Sequence, residues 1–282
     1  MAAPVRTALA VAILGLAAAV TACSSGSPNQ PPATTAPAAT TPASTTLGPT
    51  SGPPEQPAHD CGAPAMPAQT FWLSGAHGAW LRAATVGEGP DVAVFVHESG
   101  TAGLCGFWPY AVWLAQQWHL RALLFDQCAY GGSDCPADTR TVHEDWIAST
   151  SAAVAWARAN AARRVTLVGA SVGGIVVLHA AASIRPAVDA VVDLSGELSW
   201  SGLDSLPAAR TLTVPVLYAV APGDTYLSVA DMRLLYDATP SPTKRLAEAP
   251  NGHGWVMLTA PSGSAWSPLA TQVAEFVQGR YG

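Results

Sequence analysis

Ser171 sits in Gly169-Ala170-Ser171-Val172-Gly173, a serine with a glycine two residues away on each side. A serine hydroxyl is a poor nucleophile at neutral pH and needs a neighbouring base to take its proton during attack. The pentapeptide alone is weak evidence, because a chain this rich in glycine and serine leaves room for a chance match. Its context says more. The apolar run Val165-Thr166-Leu167-Val168 leads straight into it, and a second apolar run with helical character follows. A strand that turns directly into a helix needs a strained corner to lift the hydroxyl off the sheet edge. Glycines flank such a corner because a Cβ there would strike the adjoining strand or helix.

The elements that must hold this corner follow from the hydrophobic periodicity. From Phe71 onward, short β-rich runs alternate with amphipathic stretches, the pattern of an α/β domain with a mostly parallel sheet. Thr70–Leu73 and Trp80–Thr85 are expected to form two antiparallel strands, and Asp91–Val96 is a continuous apolar strand of the kind buried on both faces. A helix is expected over Leu104–His119, where Leu104, Phe107, Trp108, Ala111, Leu114, Ala115 and Trp118 recur at helical spacing. Arg121–Asp126 is the next strand, followed by a turn-rich Cys128–Pro136 and a helix over Thr141–Asn160. After strand Val165–Val168 come a helix over Val172–Ile184 and strands Ala190–Leu194 and Pro215–Val220. A helix over Ser228–Ala238, a strand over Arg245–Ala249 and a helix over Pro268–Gln278 complete the order. The connection Leu198–Thr213 is the one place for a lid, and it is short.

With these pieces in order, the region from about Phe71 to Gly282 resembles the α/β-hydrolase fold superfamily. The resemblance implies a mostly parallel central sheet of about eight strands flanked by helices, with a minimal lid. It implies an acid after a later strand, and Asp224 lies in Ala221-Pro222-Gly223-Asp224 just beyond Pro215–Val220. It implies a histidine near the end, and His253 lies in Asn251-Gly252-His253-Gly254-Trp255 beyond the last strand. The chain order Ser171, Asp224, His253 matches the superfamily's order. In that mechanism His253 removes the serine proton and returns it to the leaving group, while Asp224 fixes the imidazole tautomer. Asp193 and Glu197, after the preceding strand, are the fallback acids. Members often carry His-Gly at the end of the first parallel strand, but here the sequence reads His97-Glu98-Ser99-Gly100. The oxyanion donors implied are the N–H groups of Ser99 and Val172, with Glu98 the alternative to Ser99 if the alignment shifts by one. His97 reads as a structural histidine that orients this loop. Trp108, Trp200 and Trp255 could line the pocket, although helical spacing makes Trp108 a core residue.

The remaining sequence bounds where such an enzyme works. Thirteen Lys+Arg against nineteen Asp+Glu give a net charge of -6, with Lys244 the single lysine, so there is no basic footprint for nucleic acid. Beyond the N-terminus no apolar run approaches the ~20 residues of a spanning helix. After Arg6, the apolar run Ala8–Val20 ends in Val20-Thr21-Ala22-Cys23, which resembles the lipobox of bacterial lipoproteins. Residues 1–22 are therefore expected to be a lipoprotein signal peptide, with Cys23 lipidated. Residues 23–60 are expected to be a tether rich in Pro, Thr, Ser and Ala: Ser24–Asp60 contains nine prolines and one large aliphatic residue, Leu47. The hydrolase domain would span 61–282, outside the cytoplasm and lipid-anchored to the bacterial cell membrane. There the four cysteines Cys61, Cys105, Cys128 and Cys135 suggest two disulfides. The superfamily's strand order implies Cys105–Cys128, leaving Cys61–Cys135. No C-x-x-C pair supports a redox role, and no Cys/His spacing fits zinc.

The function these readings favour is a serine hydrolase that cleaves a small-molecule carboxylic ester through an acyl-enzyme. No cofactor and no metal is implied, and a monomer is expected. A peptidase or thioesterase would use the same triad. A cell-envelope binding module on a hydrolase scaffold is the alternative from another class, though such a scaffold would be expected to lose at least one triad residue. Dehalogenase chemistry is disfavoured, because it needs a carboxylate where Ser171 stands.

Overall fold

The computed structural model describes residues 61, 67–136, 142–263 and 265–282. The signal peptide, Cys23 and the tether lie outside them. Eight strands form one sheet: β1 (Ala68–Ser74), β2 (Trp80–Val86), β3 (Asp91–Val96), β4 (Arg121–Phe125), β5 (Arg164–Ala170), β6 (Ala190–Leu194), β9 (Val216–Val220) and β10 (Lys244–Glu248). Their order is β1-β2-β4-β3-β5-β6-β9-β10. β1 pairs antiparallel with β2 and β2 antiparallel with β4, while every other neighbour is parallel. The expected α/β-hydrolase sheet of eight strands is present.

Strand periodicity splits the core in two. Val92, Val94 and Val96 of β3 point to one face, and Ala93 and Phe95 to the other. Leu123 and Phe125 of β4 and Val216, Tyr218 and Val220 of β9 join the first set. That face is covered by α2 (Val142–Ala159), α3 (Val172–Ser183), α4 (Ser205–Ala209) and α5 (Val229–Ala238). The opposite face is covered by α1 (Trp108–Trp118) and α6 (Pro268–Val277). Strands covered on both sides need apolar residues at nearly every position, which is why β3 is apolar from Val92 to Val96 and β6 is apolar except for the buried Asp193. α3 is apolar around most of its circumference because it lies between the sheet and both α2 and α4.

Three local expectations change. The helix expected from Leu104 begins as a 3-10 turn, Gly103–Gly106, and becomes α-helical at Trp108 with Pro109 in its first turn. The short lid region is a ribbon, β7 (Ser199–Trp200) paired with β8 (Leu203–Asp204), followed by α4, whose N-cap Asp204 accepts from the Leu206 N–H at 3.0 Å. The disulfides are Cys61–Cys105 and Cys128–Cys135, not Cys105–Cys128 and Cys61–Cys135. The reason is the sheet itself. Cys128 and Cys135 pack with the core on the α2/α3 face, whereas Cys61 and Cys105 pack with the α1/α6 face, so adjacent strand ends do not bring Cys105 to Cys128. Cys128 instead closes its own seven-residue loop.

Candidate active site

Ser171 occupies the corner between β5 and α3 with φ 53° and ψ -122°, a conformation that non-glycine residues adopt only when the surroundings enforce it. Those surroundings are on both sides. A Cβ on Gly169 would lie 2.1 Å from the Gly173 carbonyl oxygen, and one on Gly173 would lie 2.2 Å from the Val96 carbonyl oxygen of β3. The Ser171 N–H donates to the Leu194 carbonyl of β6 at 2.9 Å, which ties the corner to both neighbouring strands. Val172, next in the chain, opens α3, so its N–H has no carbonyl one turn earlier within the helix.

Asp224 and His253 come together from two loops. The side chain of Asp224 is fully buried, and His253 Nδ1 is 2.8 Å from its Oδ2. Asp224 Oδ1 also accepts from the Tyr226 N–H at 2.9 Å. Desolvation pushes this carboxyl up, but the hydrogen bonds from Tyr226, His253 and Ser195 outweigh it and leave Asp224 below the ordinary carboxylate range. An ionised Asp224 makes Nδ1 the protonated nitrogen of a neutral His253 and leaves Nε2 free to accept a proton. The turn after His253 abuts the serine corner: a Cβ on Gly254 would lie 3.3 Å from the Ala170 Cβ. The fallback acids do not take this place. Asp193 is buried beneath the corner, accepting from the Gly196 N–H at 2.6 Å, and burial raises its carboxyl to about 7. Glu197 is raised by burial too, and it feels the charge of His253 without an ion pair to it among the described residues.

No protein-family model and no curated protein sequence matches the chain. Solved structures do. An esterase from Pyrococcus furiosus superposes with a TM-score of 0.65 at 15% identity, over 84% of this chain and 100% of that one. The Est1E protein of Butyrivibrio proteoclasticus, solved with ferulic acid bound, gives 0.56 at 17% identity over 74% and 96%. The enol-lactonase of Burkholderia xenovorans gives 0.58 at 16% identity over 73% and 99%. The fold is that of the α/β-hydrolases.

The loop after β3 lies against the serine corner, where a Cβ on Gly173 would lie 2.7 Å from the His97 carbonyl oxygen. His97 is buried, with Nδ1 2.7 Å from the Glu98 carbonyl and Nε2 accepting from the Gln127 N–H at 2.9 Å. These partners require the neutral ring with its proton on Nδ1, in keeping with the lowering of its pKa by burial. His97 therefore joins the β3 loop to the β4 loop, and edge-on contacts with Tyr130 and Trp146 fix its plane. Among the described residues, neither Ser99 nor Val172 donates its N–H to a backbone carbonyl. Ser99 lines a groove of about 430 Å³ with Gly100, Thr101, Ala129, Tyr130 and Gly131.

Sequence reasoning missed the group beneath this loop. Asp126, at the end of β4, accepts from Arg82 Nε at 2.6 Å and from the Leu104 N–H at 2.7 Å, and a Cβ on Gly103 or Gly131 would run into its carboxylate. The available signal was a carboxylate ending the apolar run Ala122–Phe125, with an arginine inside the mostly apolar β2. Ser195 was missed as well. It holds φ 57° after β6, and its hydroxyl stands by Met257 and Asp224. Of the three tryptophans, Trp108 is fully buried core, Trp200 lies in the ribbon near Trp146, and Trp255 packs on Gly106 and Phe107 at the rim.

Proposed function

We propose that this chain is a serine hydrolase that cleaves carboxylic esters through an acyl-enzyme on Ser171. The observation that carries the reading is the buried, ionised Asp224 holding His253 by Nδ1 beside the turn that strains Ser171. His253 Nε2 takes the Ser171 proton as Oγ attacks the ester carbonyl, the N–H groups of Ser99 and Val172 hold the oxyanion, and the proton leaves with the alcohol. Water then repeats the sequence to release the acid. The esterase and lactonase names among the structural neighbours support ester chemistry over the thioester and peptide alternatives. The short ribbon and α4 in place of a large cap suit small or medium acyl groups.

The same proposal puts the enzyme outside the cytoplasm, anchored by a lipid on Cys23 and held off the membrane by residues 24–60. Labelled palmitate incorporated by the expressing bacterium should enter the wild-type chain and not a Cys23→Ala variant. The chemistry is tested with a fluorophosphonate probe on oxidised protein. An adduct should form on Ser171 and be absent in Ser171→Ala and His253→Ala. A folded wild type that takes no label would turn the assignment toward a binding module.

A further inference from the structure

Glu98 follows the buried His97, and the molecule makes room for its side chain on the far side. Gly254, the residue after His253, has φ +55°, and a Cβ there would lie 2.2 Å from Glu98 Oε2. A side chain at 254 would have to displace the carboxyl, and the positive φ there favours glycine as well, so the carboxyl at 98 and the bare backbone at 254 fit each other. Glu98 Oε1 lies over its own loop, 4.0 Å from where a Gly100 Cβ would be. The carboxyl thus fills the gap between the loop that carries Ser99 and the turn that follows His253. Its Oε2 is buried with no hydrogen-bond partner, a costly arrangement for a group that does nothing but pack.

Resting on the hydrolase reading above, we propose that Glu98 is a positioning residue of the reaction, its carboxylate holding the histidine turn in register with the oxyanion loop and stabilising the His253 imidazolium as Ser171 attacks. The charge on His253 appears only while it holds the serine proton, so an anion beside it favours the transition state over the resting enzyme. Asp224 already supplies one such charge through Nδ1. Glu98 supplies a second from the opposite loop, where its Oε2 lies against Gly254, the residue after His253.

The titratable groups around this pair are few. His253 faces Glu98 from the histidine turn, Asp224 lies behind His253, Glu197 approaches His253 from the loop after β6, and His97 precedes Glu98 in the chain, buried and neutral. Burial pushes the Glu98 carboxyl up, with the His253 charge pulling it back, to about 7. Glu98 is therefore protonated in mild acid and gains its charge through neutrality. The ionisation of Glu98 should thus contribute to the rise of kcat through neutrality.

The experiment measures kcat and KM for p-nitrophenyl acetate from pH 5 to 9 with wild type, Glu98→Gln and Glu98→Asp, alongside fluorophosphonate labelling and thermal melting of each. In Glu98→Gln, kcat at pH 8.5 should fall about tenfold with KM within about twofold, as expected when a charge contact made in the transition state is lost. Its acid limb should relax to a single ionisation, while wild type rises more steeply across pH 6–8. Glu98→Asp should restore the steep limb and part of kcat. A Glu98→Gln protein that melts like wild type and keeps both kcat and the steep limb overturns the inference while leaving the hydrolase reading intact. A wild type that neither labels nor hydrolyses overturns that reading, and this inference with it.

Discussion

The serine corner and the loop after β3 face each other across the site, yet they are built from different distances in the chain. The corner is local. Gly169, Ser171 and Gly173 lie within five residues, and their constraints come from the strand before, the helix after and the two adjoining strands. The Ser99 loop is assembled from afar. His97 is held by Gln127, Leu104 by Asp126, Asp126 by Arg82, and Cys105 by Cys61. A nucleophile must be strained in one fixed way, which a short motif can encode. In the proposed mechanism the Ser99 loop has only to be held at the right place, and any set of distant residues that fits will serve.

This contrast can be broken from the loop side first. Asp126→Ala breaks the buried Arg82–Asp126 pair and frees the Leu104 N–H, and it should cost about 3–5 kcal/mol, read as a fall in chemical-denaturation stability. The Ser171 corner should survive in whatever remains folded, so fluorophosphonate labelling per folded molecule should drop less than kcat. Second, Cys61→Ser with Cys105→Ser opens a crosslink across 44 residues and should cost up to about 4 kcal/mol on chain entropy. Activity should soften with it, because Cys105 lies in the turn pinned by Asp126.

From the corner side, Gly173→Ala places a methyl against the Val96 carbonyl and should cost about 1–3 kcal/mol by overpacking. Its loss of kcat should exceed what that instability explains, because the displaced group is the corner that aims Ser171. The smallest effect concerns Asp193 beneath it. Burial raises this carboxyl to about 7, so the folded state retains a proton that the unfolded chain has lost. Its contribution is fully present below about pH 4 and is lost as pH rises through about 7. Asp193→Asn should flatten that part of the stability profile. Asp224, held below the usual range, works in the opposite sense, its contribution being lost as acid protonates it.

The same contrast explains what could be read from the chain alone. Asp91–Val96 and Ala190–Leu194 were legible to the residue, since two-faced burial makes most of each strand apolar, with Asp193 the one charged residue in their interiors. Ser171, Asp224 and His253 could be singled out because each ends or follows a predicted strand, and the structure brings Asp224 to His253 and strains the backbone of Ser171. The disulfide pairing was not, because it depends on which sheet face each cysteine joins, and that is fixed only by packing. The Arg82–Asp126 pair was hidden for a related reason: 44 residues separate partners that β2–β4 pairing brings together. The ribbon Ser199–Asp204 was invisible because four paired residues carry no periodicity.

The central claim is that Ser171 carries the acyl group. Mixing the oxidised protein with p-nitrophenyl acetate, quenching in acid within milliseconds and mapping peptides by mass would test it directly. An acetyl adduct on the peptide containing Ser171, accumulating in a burst and absent in Ser171→Ala, is the predicted result. Turnover that persists in Ser171→Ala, or an adduct on another residue, would contradict the account.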